Sequence, residues 1–363
     1  MAHIPIDQDY LLNTLNELLR IPSPSGMTDH VVERVCLELD RLDIPYELTR
    51  RGAIRAHLSC DDSCGIEKHT SRAIVAHVDT LGIMVRELKK NGRLGIVAIG
   101  HWNARFAEGA RVSVIASGGR KYRGTVLPLK ASGHVYNDGV DEQPSNWDNL
   151  EIRLDERSHT VQDLLRLQVH VGDTVAVDSH PEFADNGFIN ARHLDDKAGV
   201  AAVLAAARAA RENDLPLPIP CHLLFTISEE VGVGASHIMH RDASELVSVD
   251  NGTIAPGQNT CDYGVTIAMQ DSSGPFDRRL TRRLVELCRE SGIEYSRDVF
   301  RFYRSDAAAA LEAGNDLRTA LICFALDGSH GWERTHADSL HAVARLLLAY
   351  MMTTPVSFML RER

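Results

Sequence analysis

The middle of the chain interrupts an alternation of predicted helices and strands that is present on both sides of it. Residues 7–20 and 28–42 carry apolar side chains at helical spacing, and residues 52–60 and 72–86 have the composition of strands. From about residue 90 to residue 185, short β-like pieces separated by Gly and Asp follow one another without a long helix. This pattern is typical of a small β-barrel or sandwich.

Helices and strands alternate again after this region. Residues 197–210 are rich in Ala and predict a helix, whereas residues 220–228 form a continuous apolar run of strand length. Such a run is expected where a strand is buried on both faces, as in a parallel sheet. Residues 280–293 and 339–351 predict two more helices, and residues 319–326 predict another strand.

These elements predict an α/β fold, in which a mixed, largely parallel sheet is flanked by helices and a small β-barrel domain is inserted. Residues 1–87 and 187–363 would form the α/β domain, and residues 88–186 would form the β-rich insert. A chain of 363 residues is long enough for one large and one smaller domain.

Charge and cysteine content exclude several classes of partner. The formal net charge is -11 and the pI is about 5.8, which gives no electrostatic reason to expect nucleic acid or an anionic membrane. We find no apolar run of membrane-spanning length and no signal-peptide pattern in the first 20 residues. The only close cysteine pair, Cys60 and Cys64, has neither redox nor zinc-knuckle spacing. We therefore expect a cytoplasmic protein with reduced thiols.

His77 and Asp79 lie two residues apart in the apolar segment 74–86. Side chains at this spacing point to the same face of a strand. A carboxylate beside a metal-ligating imidazole fixes its tautomer, so His77 is a candidate ligand and Asp79 a candidate for orienting it. A His–Asp hydrogen bond inside a core is the alternative explanation.

Further carboxylates lie next to predicted strands and helices. Glu229 and Glu230 follow the apolar run directly, and adjacent positions aim in different directions, so one could bind a metal while the other handles a proton. Asp250 lies at another strand end. Asp195 and Asp196 precede a predicted helix, where capping is the alternative role.

Two histidines, His330 and His336, lie before the last predicted helix. Together with the strand-end residues, they complete a nitrogen and oxygen ligand set that suits zinc, manganese or cobalt. Asp195, Glu230 and Asp250 would bring three negative charges against the four positive charges of two divalent ions. Five protein ligands would oversupply one zinc ion, so the set favours two ions.

The order of these segments resembles the M42 family of metallo-aminopeptidases, which includes glutamyl and tetrahedral aminopeptidases. The resemblance runs nearly end to end and rests on segments that occur in family order: IPSPSG, AHVDTLGIMV, LQVHVGDTVAV, HLDDKAG, TISEEVGVGA, VSVDNG, SSGP and SDAAAAL. More narrowly, the chain looks like the subgroup associated with the osmoprotectant N-acetylglutaminylglutamine amide.

The resemblance implies a zinc-exopeptidase-like fold with two divalent metal ions per chain, zinc before cobalt or manganese. It assigns Glu229 as the general base and Asp195 as the ligand that bridges both ions. Asp79 would lie behind the ligand His77 and orient it. The implied metal ligands are His77, Asp195, Glu230, Asp250 and His336. It also implies a cis peptide between Asp195 and Asp196, and an insert that supplies oligomer contacts and pocket walls.

The chain departs from the family pattern near the expected pocket. Thr80 stands where the family often has Glu, and the last ligand lies in the context THADS instead of HSPxE. His330 is therefore a rival to His336. The segment RSDA replaces a glycine-rich stretch. These changes bear on substrate specificity more than on metal binding.

The resulting prediction is an aminopeptidase that hydrolyses short peptides with water activated between two ions. Family members commonly assemble as dodecamers built from dimers, so a homo-oligomer is expected. The nearest alternative is an amidase or deacylase of a small N-acylated dipeptide-like metabolite. A glycoside hydrolase would also use paired carboxylates, but this interpretation gives His77, Asp250 and His336 no catalytic or metal-binding role. An inactive binding protein is the remaining alternative.

Overall fold

The computed structural model describes residues 4–60 and 70–356. Cys64 and the ends of the predicted α/β domain lie outside these ranges. The described residues form eight α-helices: α1 Gln8–Leu19, α2 Asp29–Arg41, α3 Gly133–Tyr136, α4 Val161–Arg166, α5 Leu194–Glu212, α6 Arg278–Ser291, α7 Asp306–Glu312 and α8 Ala337–Met351. None of these helices is long and apolar enough to cross a bilayer.

The strands divide into a large sheet and a closed barrel. The strands before and within the barrel are β1 Tyr46–Leu48, β2 Ile54–Leu58, β3 Ser71–His77, β4 Gly82–Leu88, β5 Leu94–Ile99, β6 Arg111–Ile115, β7 Lys121–Pro128, β8 Leu150–Leu154 and β9 Thr174–Val177. The strands that follow it are β10 Glu182–Phe183, β11 Phe188–Ala191, β12 Cys221–Thr226, β13 Ala243–Ile254, β14 Val265–Asp271, β15 Gly274–Pro275, β16 Tyr295–Val299, β17 Arg318–Asp327 and β18 Glu333–His336.

The large sheet is mixed, with a parallel centre. Its order is β1-β2-β12-β3-β13-β17-β18-β11-β10, and β14 joins β17 together with β15 and β16. The neighbours β12, β3, β13 and β17 run parallel, whereas β2 and β14 are antiparallel to their partners β12 and β17. Every residue of β3 and β12 is buried, as expected for central strands covered on both faces.

Helices cover the sheet and form one core with it. The helix α5 packs against α1, α8, β3 and β13. All residues of α5 from Ala198 to Ala207 are apolar, which lets the helix lie buried between these elements. The helix α6 is held at its start by Asp277, whose carboxylate accepts hydrogen bonds from main-chain N–H groups, and ends at Gly292 with a φ of 59°.

The inserted barrel has the strand order β4-β5-β8-β7-β6-β9 and its own buried core, which includes Ile83, Ile96, Val112 and Ile152. The predicted mixed sheet, flanking helices and barrel are thus confirmed. The predicted boundaries differ from the strand bounds. The barrel begins at Gly82 instead of residue 88, and β10 already belongs to the large sheet.

Candidate metal centre

Functional side chains collect where the parallel strands of the large sheet end. His77 is the last residue of β3, Glu229 and Glu230 follow β12, and Asp250 lies in β13. These three strands are neighbours and parallel, so their carboxyl ends meet at one edge, where ligands bind in open α/β sheets. Asp195, in the first turn of α5, lies against the same edge.

Two groups of potential metal ligands share one residue. His77, Asp195 and Asp250 form the first group, and Asp195, Glu230 and His330 form the second. Within each group the donor atoms lie within 4.8 Å of one another. A carboxylate has two oxygens and can serve two ions at once, so this arrangement fits a pair of ions bridged by Asp195.

The carboxylate of Asp195 lies between two imidazoles. Its Oδ1 is 3.2 Å from Nε2 of His77, and its Oδ2 is 3.3 Å from Nε2 of His330. The same Oδ2 accepts a hydrogen bond of 2.8 Å from Nδ2 of Asn251. The peptide bond between Asp195 and Asp196 is cis, as the family resemblance implies. Nε2 of each histidine therefore faces the space beside the Asp195 carboxylate.

The main chain sets the orientation of His77. Its Nδ1 lies 2.9 Å from the carbonyl oxygen of Asp79, whereas the nearer carboxylate oxygen of Asp79 is 3.6 Å away. A carbonyl oxygen only accepts, so Nδ1 carries the hydrogen and Nε2 keeps a lone pair for a metal. The orienting group is thus the carbonyl of Asp79, in place of the side chain expected from the sequence.

The carboxylate of Asp79 holds the loop that carries the two glutamates. Its Oδ1 accepts the main-chain N–H of Glu229 at 3.1 Å, and its Oδ2 lies 3.4 Å from the N–H of Glu230. Ser25 donates its hydroxyl hydrogen to the same carboxylate. Asp79 is fully buried and thereby fixes the positions from which both glutamate side chains project.

His330 and His336 lie in different environments. Nδ1 of His330 is 2.9 Å from the carbonyl oxygen of His101 in the barrel domain, which leaves its Nε2 to face Asp195 and Glu230, at 3.3 and 3.7 Å. His336 is the last residue of β18 and caps the start of α8, where its Nδ1 accepts the N–H of Asp338 at 3.1 Å. The geometry therefore brings His330 into the centre.

The expected role of His336 does not agree with its contacts. Its Nε2 lies 3.0 Å from the carbonyl oxygen of Asn186, and its ring packs edge-on against Phe188 and Tyr263. Both ring nitrogens thus serve the start of α8 and the turn before β11. His336 belongs to neither ligand group.

Glu333 supports the centre and was not identified from the sequence. It is 2% exposed, and its two oxygens accept the main-chain N–H groups of His330 at 3.0 Å and of Asp195 at 3.3 Å. It therefore links His330, on the loop before β18, to Asp195 at the start of α5. Its place between the two candidate histidines was the only available sequence signal.

Asp306 is a second supporting residue that the site prediction missed. Its Oδ2 accepts the hydroxyl hydrogen of Thr226 at 2.8 Å. Gly234, in the loop after the glutamates, approaches it so closely that a Cβ there would lie 1.9 Å from Oδ1. A larger residue at position 234 would displace this loop, which explains the glycine in EEVGVG.

The electrostatics of the centre fit a divalent cation. Burial raises the pKa of Glu230, of Asp250 and of Glu333 to about 8 in each case. Burial alone would lower the pKa of His330, but its contacts with Asp195 and Glu230 raise it to about 10. Carboxylates crowded in a buried site favour positive charge, and a nitrogen and oxygen donor set of this kind suits zinc, manganese or cobalt.

A small cavity beside the centre lies between the two domains. Leu81 and Trp102 line it from the barrel side, and His330 and Glu333 line it from the sheet side. The indole N–H of Trp102 donates to the carbonyl of Gly82 at 3.2 Å, which fixes this wall at the start of the barrel. The insert thus contributes to the surroundings of His330.

Comparison with known proteins agrees with this architecture. YhfE of Bacillus subtilis (strain 168), which carries the name of an aminopeptidase, is 38% identical over 345 residues, or 95% of this chain and 98% of that protein. An aminopeptidase from the archaeon Desulfurococcus kamchatkensis superposes with a TM-score of 0.85 at 20% identity and 96% coverage of both chains. The TET1 peptidase of Pyrococcus horikoshii gives a TM-score of 0.81 at 22% identity, covering 95% of this chain and all of that one.

The family model described as M42 glutamyl aminopeptidase matches residues 62–346, which include both ligand groups. The structural neighbours share the fold, and the Bacillus relative is similar over nearly its whole length. The chain therefore belongs to the M42 family of peptide hydrolases.

Proposed function

We propose that this enzyme is an aminopeptidase that removes residues from the amino end of short peptides with two divalent metal ions. The observation that carries the proposal is the sharing of Asp195 between two ligand groups. A second glutamate, Glu229, lies beside them, with Oε2 3.8 Å from Nε2 of His77. Two ligand groups and one spare carboxylate are the parts that two-metal hydrolysis of an amide requires.

His77, Asp195 and Asp250 would hold one ion, and Asp195, Glu230 and His330 would hold the other. Zinc fits this donor set, and cobalt and manganese are alternatives. When bound, such ions polarise the scissile carbonyl and lower the pKa of water. His330 replaces His336 in this proposal because its Nε2 faces Asp195 and Glu230.

Glu229 would act as the general base and then as the general acid. Its side chain is 15% exposed and belongs to neither ligand group, so its carboxylate is available for proton transfer. It would take a proton from the attacking water and give it to the leaving amine. Asp79 would act as a positioning residue, because its carboxylate holds the main chain of Glu229.

We also propose a homo-oligomer built from dimers, for which a dodecamer is one expected form. The Pyrococcus TET1 peptidase is described as able to assemble into a tetrahedron or a large octahedral shell, and it shares the fold over nearly the whole chain. The six described cysteines are free thiols, which supports a reducing, cytoplasmic setting.

A paired hydrolysis assay tests the substrate class. Chelator-treated enzyme is reloaded with zinc, cobalt or manganese and offered aminoacyl amides and dipeptide amides, each with a free and with an N-acetylated amino end. We expect cleavage of the free-amine set only. Glu229→Gln is the inactive reference, and Glu212→Gln, an exposed glutamate paired with Arg208 on α5, is the matched control that should keep full activity.

Other outcomes of the assay have definite meanings. Cleavage of the acetylated set alone would replace the aminopeptidase with an amidase that uses the same ligands. The resemblance to the subgroup associated with N-acetylglutaminylglutamine amide makes an N-acetylated dipeptide amide the substrate to include for that case. Failure on both sets, with two metal ions bound, would reject the proposed substrate class.

A further inference from the structure

A second group of histidines lies at the other end of the central strands. His222 is the second residue of β12, and the antiparallel register places it directly opposite His57 of β2. His240 and Asp242 come from the segment just before β13. Glu229 and Glu230 of the candidate metal centre follow the opposite end of β12, so the two groups are separate.

The donor atoms of this group converge. One atom each from His222, His240 and Asp242 lie within 4.8 Å of one another. Nε2 of His222 is 3.6 Å from Oδ2 of Asp242. Neighbouring ligands in a tetrahedral zinc site with ordinary Zn–N and Zn–O distances are roughly 3.4 Å apart, so this spacing is close to that of a ligand pair.

Among the described residues, none forms a hydrogen bond with the buried Nε2 of His222. The residue is 5% exposed, and its Nε2 is among the buried polar atoms that no described group satisfies. The separation of 3.6 Å from Asp242 is too long for a hydrogen bond. An unsatisfied buried polar atom is costly, so the position of this nitrogen calls for a partner between it and the carboxylate.

His57 supplies the orienting contact that a metal-binding histidine usually has. Its Nδ1 is 3.4 Å from Nδ1 of His222, so one of these nitrogens carries the hydrogen between them. When His222 is the donor, its Nε2 holds a lone pair directed towards the Asp242 carboxylate. A cation placed between two electron-rich atoms at this distance would satisfy both of them. Burial and the neighbouring imidazoles lower the pKa of His222 to about 4, which keeps it neutral and able to ligate.

We propose that His222, His240 and Asp242 form a second, peripheral binding site for a transition-metal ion of the zinc class, with His57 orienting His222. The mixed imidazole and carboxylate donors suit zinc, nickel or cobalt better than calcium or magnesium. The side chain of Asp242 is 44% exposed, so water can fill the remaining coordination positions.

Binding requires a small local rearrangement of His240. Its ring stacks on that of His222 with centroids 3.9 Å apart and an angle of 13° between the planes. One ion cannot lie in the planes of two parallel rings, so the ring of His240 turns out of the stack when it ligates. The nearby cation Arg55 is paired with Glu47 and donates to the carbonyl of Ile238, which limits its repulsion of a metal.

A metal count tests the site. Wild-type protein, His222→Gln, Asp242→Asn and Asp195→Asn are equilibrated with zinc, passed through a desalting column and analysed for metal by mass spectrometry. We expect His222→Gln and Asp242→Asn each to lose one equivalent of zinc relative to wild type. Asp195→Asn should lose zinc from the catalytic centre and keep the equivalent held by His222.

His237→Gln is the matched control, because His237 is a neighbouring histidine whose Nδ1 contacts Ser236 outside the donor set. It should bind as much zinc as wild type. Circular dichroism checks the fold of each variant, and the exposed Asp242→Asn decides the result if His222→Gln does not fold. An unchanged zinc count in Asp242→Asn, or an equal loss in His237→Gln, would overturn the proposal.

Discussion

Nε2 of His330 lies 3.3 Å from Oδ2 of Asp195, and this contact gives the second ligand group its imidazole. His330 belongs to the loop between β17 and β18, whereas the family resemblance assigned the last ligand to His336 at the start of α8. His336 uses both ring nitrogens for contacts with Asn186 and Asp338. The two histidines thus have separable tasks, and substitution distinguishes them.

The first prediction compares these two histidines. His330→Ala should lose about one of two bound metal ions and most of the activity, because the second group then keeps only carboxylate ligands. His336→Ala should keep both ions and lose stability instead, by about 1 kcal/mol, since it removes the side-chain cap of α8. Metal analysis and thermal unfolding of both variants measure this. The reverse pattern would restore His336 as the ligand.

The second prediction concerns the proposed base. Glu229→Gln should retain both metal ions and lower kcat by about 10²- to 10⁴-fold, because the amide cannot accept the proton of the attacking water. Steady-state kinetics on a free-amine substrate and metal analysis of the same sample provide the test. A kcat close to that of wild type, with metals bound, would remove Glu229 from the mechanism.

The third prediction concerns the shared ligand. Asp195→Asn should weaken both ion sites together, since its two oxygens face the two imidazoles separately, at 3.2 and 3.3 Å. Asp250→Asn should weaken only the site that it shares with His77. Zinc titration with a chromophoric chelator gives the number and affinity of the sites in each variant. Full occupancy of Asp195→Asn would contradict its bridging role.

The fourth prediction tests Glu333 as a positioning residue. Glu333→Gln places an amide NH₂ against one of the two main-chain N–H donors that the carboxylate accepts. It should reduce metal affinity by about 10- to 100-fold, which is the usual effect of removing a group that orients metal ligands by hydrogen bonds. Activity should return at high zinc concentration. Glu290→Gln, at an exposed glutamate on α6, is the control and should have no effect. A lost activity that zinc does not restore would assign Glu333 a different role.

The fifth prediction is a pH dependence of stability that arises from His222. Its pKa is lowered by burial from 6.5 to about 4, so the unfolded chain takes up this proton at a higher pH than the folded chain. In metal-free protein, the free energy of unfolding should therefore fall as the pH drops from 6.5 to 4. Urea unfolding should show a shallower fall in His222→Gln. Parallel pH profiles for the two proteins would argue against this assignment.

Much of the fold could be predicted because its signals are local. The helix α5 is rich in Ala, and β12 is continuously apolar. The insert has short β-like pieces and no long helical pattern, unlike the flanking segments. The break between β3 and β4 could not be predicted in this way. All of β3 and the first two residues of β4 are buried, so the apolar pattern continues past Thr80, whose N–H instead bonds to the carbonyl of Ser23 at 2.9 Å.

The candidate site shows the same limit. His77, Asp195 and Glu230 could be named as candidates because strand ends and helix starts can be predicted from the sequence. Glu333 was missed, since its role depends on two main-chain N–H groups that come together only in the fold. The choice between His330 and His336 depends on contacts with His101 and Asn186, which are remote in sequence.

The contact between Nδ1 of His330 and the carbonyl oxygen of His101 joins the sheet domain to the barrel. In the proposed metal centre, the hydrogen on Nδ1 would leave Nε2 as the coordinating atom, so the barrel would select the tautomer of a ligand that it does not itself provide. A substitution that moves the barrel by a fraction of an ångström would therefore change the metal affinity of the sheet domain. Through this one hydrogen bond, the position of the barrel would determine which nitrogen of His330 is available to a metal in the sheet domain.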